Sequence, residues 1–308
     1  GLFLDCTFGG GGYANEFLKF PKTNVIALDR DPDVISIAKK LKKKFKDRFQ
    51  FYQLRFSQMD KILKEKVDTI IFDLGVSSIQ LNNLKRGFSF KSTEKLDMTM
   101  GLSNTSAEQV VNSCEESQLK LIIRELGEEK EASKIAKNIV KARLEKRITR
   151  VSELVKIIEK SKKRNYLSKI NPSTKTFQAL RIFVNKEISE LIYGIINASK
   201  FVKPGGKILV VSFHSIEDKI VKFFFSNFSK NKSRPSRYLP EDSAKERLVL
   251  FEKYSNKIIK PSINELKKNN PSRSAKLRFA IRSADDFTYP LDLTKKFSKY
   301  LNLEARNV

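Results

Sequence analysis

At 308 residues, 40% hydrophobic and 31% charged, the chain is long enough to bury roughly three quarters of its unfolded surface. Its longest apolar runs, "KILVVSF" and "LKLII", fall far short of the ~20 residues of a membrane helix, which excludes a bundle of spanning helices. Sixty-one Lys and Arg against 35 Asp and Glu leave +26, which favours a polyanionic partner, nucleic acid first, through counterion release.

Lys predominates over Arg in a chain without Trp, as an AT-rich genome also produces, so charge alone names no partner. Cys6 and Cys114 are the only cysteines and His214 the only histidine. That rules out a disulfide framework and a Cys/His zinc site, so no metal is expected, and free thiols fit a reducing compartment.

Short β-rich runs alternate with helical periodicity from the start. "GLFLD" reads as strand, "YANEFLKF" as helix, "NVIALD" as strand, "DPDVISIAKKLKKKF" as helix, then "FQFYQL" and "VDTIIFDLG" as strands. The chain opens inside the first of these, so an N-terminal piece is expected to precede it. This is a βαβ pattern and predicts an α/β fold with a doubly wound parallel sheet. At "TSAE", Thr105 to Glu108, a capping box opens a helical stretch, with apolar residues at Val110, Val111, Cys114, Ile122, Ile123, Ile135, Ile139 and Val140. Helix "KEISELIYGIINASKFV", turn "KPGG", strand "KILVVSF", helix "IEDKIVKFFFSNF" and strand "AKLRFAIR" follow. The expected domains are therefore a sheet domain in two parts, 1–102 and 187–308, around an all-helical domain at 103–186. The polar, basic stretches "SKNKSRPSRYLPEDS" and "KKNNPSRS" read as loops.

Gly9 to Gly12 stand between the first strand and helix, where backbone amides and a helix start meet a ligand at the strand's carboxyl end. Asp29 closes the second strand twenty residues after Gly9 (29 − 9 = 20), the place from which a carboxylate accepts both hydroxyls of an adenosine ribose. Gly9, Gly11 and Ala14 satisfy the dinucleotide spacing too, so spacing alone fits NAD and S-adenosylmethionine equally. Asp5 favours the second, because an acid there meets the cationic amino-acid part of S-adenosylmethionine, whereas dinucleotide sites offer amides to a pyrophosphate. Asp73, closing the fourth strand, puts another carboxylate over the same cleft, in reach of cofactor or substrate, although an isolated "DLG" also suits a turn or helix cap.

Seven stretches in order, "DCTFGGGGYA", "ALDRDPDVISIAK", "DLGVSSIQLNNLKRGFSF", "LDMTM", "NPSTKTFQALRIFVN", "KPGGKILVVSFHSIEDKIVK" and "SRSAKLRFAIR", span nearly the whole chain. Together they resemble the RsmH/MraW family, the ribosomal RNA small-subunit methyltransferase H proteins. The resemblance implies a Rossmann-like class I S-adenosylmethionine-dependent methyltransferase sheet with an inserted helical domain. The activity it implies is methylation of the exocyclic N(4) of a decoding-region cytidine in 16S ribosomal RNA. It further implies that Gly11, Gly12, Tyr13, Asp29, Phe56, Asp73 and Gln80 contact S-adenosylmethionine. The chain departs from the family at Tyr13, where His is usual, at Ile79, where Pro is usual, and at Asn171, where His is usual; the family's short opening segment before the first strand does not stand in this sequence.

Asp73 is the counterpart in position of the amine-activating motif of other amino methyltransferases and the candidate catalytic residue. Phe213 is a candidate base platform and His214 a candidate substrate contact, though Ser215 and Asp218 also make a capping box for the next helix. Lys175 and Arg181 in the "STKTFQALRI" helix, and Arg278 in the last strand, are candidate RNA phosphate contacts. An NAD-dependent oxidoreductase and a non-enzymatic RNA-binding assembly factor are the competing readings. Localisation is expected in a bacterial cytoplasm, with an organelle matrix as the minor alternative.

Overall fold

The structure is a computed structural model that describes residues 1–162, 171–230 and 248–306. In chain order its principal elements are β1 (Leu2–Asp5), α1 (Gly12–Leu18), β2 (Asn24–Asp29), α2 (Ile35–Phe45), β3 (Phe49–Gln53), β4 (Val67–Asp73), α3 (Ser78–Asn82), α4 (Ala107–Ser113), α5 (Glu116–Gly127), α6 (Ala132–Glu145), α7 (Val151–Ser161), α8 (Thr174–Asn185), α9 (Glu187–Phe201), β5 (Val202–Ser212), α10 (Ser215–Asn227), β6 (Phe251–Tyr254), α11 (Ile263–Lys268), β7 (Lys276–Arg282), α12 (Leu291–Lys296) and α13 (Ser298–Glu304).

Contacts divide the chain into two units, 1–75 with 190–297, and 76–189 with 298–308. The first holds, among the described residues, a seven-stranded sheet in the order β3-β2-β1-β4-β5-β7-β6. β3, β2, β1, β4 and β5 are parallel, and β7 pairs antiparallel with both β5 and β6. The central strands β1, β2 and β4 are largely apolar on both faces, as helices on both sides require, whereas β3, β6 and β7 carry polar residues. Leu4, Val25, Ala27, Leu28, Ile70 and Phe72 are buried. The order reverses between β1 and β4, so the carboxyl ends of those strands frame the crevice where doubly wound sheets bind ligands.

The second unit is helical. α5 and α8 approach so closely that a Cβ on Gly127 would clash with the Lys175 carbonyl and lie 3.1 Å from the Ala179 Cβ. Residues 76–102, which the sequence spacing assigns to the sheet domain, group with this unit. Leu96 N–H donates to the Thr149 carbonyl (2.9 Å), and the buried Asn185 amide bonds the Met98 carbonyl (2.7 Å) and the Met100 N–H (2.9 Å). The C-terminal α13 belongs here too, since Glu304 accepts from the amides of Ile188 and Ser189 at 3.1 and 2.7 Å.

Several local expectations need correction. Ser106 with Gln109, rather than Thr105 with Glu108, forms the capping box of α4. "KKNNPSRS" is not irregular but continues α11 into a 3-10 turn, Asn270–Ser274. "KPGG" lies within β5, whose register with β4 shifts between Val67 and Thr69. Most of "SKNKSRPSRYLPEDS" lies outside the described residues.

Candidate functional site

Asp5 ends β1, paired with Ala27 of β2 on one side and Ile71 of β4 on the other, and is fully buried. Its Oδ1 accepts the Thr7 N–H at 3.2 Å, while Oδ2 has no partner at hydrogen-bond geometry. Burial pushes the carboxyl up to about 7; the Thr7 amide pulls the other way, Asp29 and Asp73 raise it further, and the Ala14 amide lowers it slightly. Thr7, which sequence reasoning missed, also accepts the Asp73 N–H on its Oγ1 at 2.7 Å. It fastens the ends of β1 and β4 together.

The glycines divide into two kinds. Gly9 and Gly11 have φ of 48° and 77°, which side chains resist, and a Cβ on Gly11 would come within 2.9 Å of the Phe8 ring. A Cβ on Gly10 or Gly12 would meet nothing within 4 Å, so those two leave room on the open side for something outside the fold. The Gly9 N–H donates to Asp29 Oδ2 at 2.8 Å and the Asp31 N–H to Oδ1 at 2.9 Å. Asp29 is thereby fixed at the end of β2 with lone pairs to spare, and burial raises its pKa.

Asp73 Oδ1 is buried without a partner. Burial and then the charge of Glu217 push its carboxyl up to about 6. Tyr13 is half-exposed on α1, and partial burial of the side chain, then Asp73, Asp5 and Glu265 in turn, raise its pKa and hold the hydroxyl protonated, so it remains a donor. The Phe56 ring lies against α9, where the Cβ missing from Gly194 would fall 2.6 Å from it, and edge-on to Phe72 at 5.3 Å. Phe213 sits 3.6 Å from the Cβ position of Gly75, beyond the end of β4.

His214 is the N-cap of α10. Its Nδ1 accepts the Glu217 N–H at 3.5 Å, and Glu217 Oε2 accepts the His214 and Phe213 amides at 3.3 and 2.8 Å. The capping box is therefore His214 with Glu217, not Ser215 with Asp218. Asp218 is drawn to the last strand instead, where it meets Arg278 Nε at 2.7 Å and Lys276 Nζ at 3.5 Å. Arg278 is accordingly buried and ion-paired rather than a free phosphate contact.

In the helical unit, Arg181 forms a two-pronged pair with Glu187, both bonds 2.8 Å. Lys175 is exposed and donates to the Glu128 carbonyl at the end of α5 (2.9 Å). Gln80 is buried as the third residue of α3, its Oε1 accepting the Ser77 N–H at 2.9 Å. The structure thus brings together Gly11, Gly12, Tyr13, Asp29 and Asp73 around the β1–β4 crevice, and Phe56 and Phe213 belong to the same unit. Thr7 and Glu217 were invisible in the sequence because a threonine inside a glycine loop and a glutamate in a helix's first turn have ordinary local explanations.

Two buried carboxylate oxygens without a partner at hydrogen-bond geometry suit a cationic ligand, and the free space over the glycines gives it room. On a doubly wound sheet this describes a Rossmann-like methyltransferase. The family model described as the MraW methylase family matches residues 1–283, and the chain belongs to that family. Its members take the methyl group from S-adenosylmethionine. The chain is 44% identical over 280 residues to a protein named Ribosomal RNA small subunit methyltransferase H from Bartonella grahamii, covering 91% of this chain and 83% of that one. It is 41% identical over 288 residues to the protein of that name from Paramagnetospirillum magneticum (92% and 90%), and 43% identical over 282 residues to that from Rickettsia africae (90% and 91%). A solved rRNA methylase from Streptococcus thermophilus superposes with a TM-score of 0.40 at 8% identity, over 92% of this chain and 86% of that one.

Proposed function

We propose that this chain methylates the exocyclic N(4) of a cytidine in the decoding region of small-subunit ribosomal RNA, in the cytoplasm of a bacterium. The observation that carries the reading is the unpartnered Asp73 Oδ1, buried beside the β1–β4 crevice. The relatives' common name supports ribosomal RNA as the substrate, and the excess of cations supports a polyanion.

S-adenosylmethionine, when bound, supplies an electrophilic methyl on a sulfonium, so that an N–C bond forms as the S–C bond breaks. The chain's own residues orient the partners and handle one proton. Asp29 would accept hydrogen bonds from the ribose hydroxyls, Asp5 would offset the charge of the cationic amino-acid portion, Phe56 would give the adenine an apolar wall, and Tyr13 would donate from α1. Cytosine's amino lone pair is delocalised into the ring. An acceptor on its N–H makes the nitrogen more nucleophilic and takes the proton as the bond forms. With a carboxyl raised to about 6, Asp73 is about nine-tenths ionised at pH 7 and more basic than an ordinary carboxylate. Phe213 offers an apolar face for the flipped base. The residues of the crevice fit this cofactor through the orphaned oxygen of Asp5, and the orphaned oxygen of Asp73 is left for the substrate amine.

The test is mass spectrometry of nucleosides from small-subunit RNA incubated with the protein and methyl-labelled S-adenosylmethionine. Label in N(4)-methylated cytidine is expected; label in another nucleoside, or none, overturns the assignment.

A further inference from the structure

Residues 38–48, "AKKLKKKFKDR", hold seven Lys and Arg against one aspartate, so a single short segment carries +6 of the +26 net charge. Lys39, Lys40, Lys43, Lys44 and Lys46 are exposed, and among the described residues none of them pairs with a carboxylate. Cations in the last turn of α2 suit the helix dipole, which accounts for Lys43 and Lys44. It does not account for Lys39 and Lys40 farther up the helix.

A second segment joins them. Arg48 Nη1 donates to the carbonyls of Leu18, Phe20 and Thr23 at 3.2, 3.0 and 3.3 Å, fastening the α1–β2 connection to the end of α2. Phe20 stands 64% exposed there. Phe45 lies nearby with Lys44 Nζ 5.0 Å and Arg48 Cζ 5.4 Å from its ring centre. Exposed aromatic surface set among unpaired cations is the chemistry that meets a nucleic-acid strand, phosphates on the cations and sugars or bases on the rings.

The position is informative. α2 leads into Phe49, the first residue of β3, which registers with Val25, whereas Gln53 registers with Asp29 at the carboxyl end. The basic end therefore lies a strand's length, about 13 Å, from the end that bears the glycine loop. One nucleotide in the crevice does not reach it; a folded RNA does.

We infer that the amino end of the sheet, formed by α2 and the α1–β2 connection, is a second RNA-binding surface that tracks the sugar-phosphate backbone of structured RNA away from the methylated base. The inference rests on the proposed RNA substrate.

The test compares K40E/K43E/K46E with a matched reversal, K253E/K257E/K260E, near the opposite sheet edge, both as the full chain. Binding is measured for a small-subunit RNA transcript across salt concentrations, and methylation is measured on a short cytidine-containing oligonucleotide. For K40E/K43E/K46E we expect affinity for the transcript to fall tenfold or more and the slope of log affinity against log salt to shrink by about two to three, near one per lost phosphate contact. Activity on the oligonucleotide stays as in the wild type, which shows that the variant folds; a Lys→Gln triple at the same positions gives a smaller loss in the same direction. An unchanged slope, or an equal loss from the matched reversal, overturns the inference. Should neither RNA be methylated, transcript binding still reads the surface, so failure of the proposed reaction is distinguishable from failure of this inference.

Discussion

Asp73 and Asp5 do opposite things with the same chemistry. Asp73 is proposed to act on the substrate amine, so replacing it by Asn keeps its shape and removes its basicity. We expect Asp73→Asn to lower kcat by about 10² to 10³ while the Kd for S-adenosylmethionine changes less than about threefold; a parallel loss of both would make Asp73 a cofactor contact instead. Asp5 is a cost to the free protein. Its carboxyl, pushed up to about 7, binds more protons folded than unfolded between the ordinary carboxylate range and pH 7. Stability from this group is therefore present at low pH and declines as pH rises through that window, by about 4 kcal/mol at most. Asp5→Asn should remove that slope, so that denaturant unfolding at pH 8 without ligand finds the variant more stable than wild type by about 1–3 kcal/mol. Its affinity for the donor should drop about tenfold or more, a trade of binding against stability. Asp29 was legible because its spacing from the glycines is a property of the chain; Thr7 and Glu217 were not, because only the fold brings the Asp73 amide to Thr7 and the charge of Glu217 close enough to raise the Asp73 carboxyl.

At the scale of elements, the parallel core could be read because buried strands are continuously apolar and their connecting helices are amphipathic. β6 escaped notice: Phe251–Tyr254 is only four residues long and is held as a strand by β7 rather than by its own pattern. The misplaced capping boxes have two causes. Thr105–Glu108 and Ser106–Gln109 both satisfy the motif, and the backbone decides between them: Ser106 is extended, with φ −95° and ψ 164°. At α10 only Ser215–Asp218 satisfies it, but the helix starts a residue earlier with a histidine as its cap, which the motif does not include, and Asp218 pairs with Arg278. The glycine loop is the element most exposed to a single change. Gly11→Ala should cost about 1–3 kcal/mol, from its left-handed φ and the contact with Phe8; thermal unfolding would show it, and an unshifted transition would mean that the loop tolerates side chains there.

Over the whole molecule, charge and chemistry are separated within the sheet unit. The crevice end of the strands gathers carboxylates, Asp5, Asp29 and Asp73, inside a chain of +26, whereas the other end of β3 adjoins the densest run of lysines. A cation is drawn to the first and a polyanion to the rest. Composition alone reported the excess charge but not where it lies, since the location depends on how α2 returns to the start of β3. The central claim, that buried carboxylates hold a cationic donor, is tested most directly by calorimetric titration with S-adenosylmethionine at pH 6.5 in buffers of differing ionisation enthalpy. Proton release on binding is predicted there, as the cation lowers the raised pKa of Asp5, with the release disappearing at about pH 8.5. Binding without proton release at pH 6.5, or tighter binding of NAD, would contradict it.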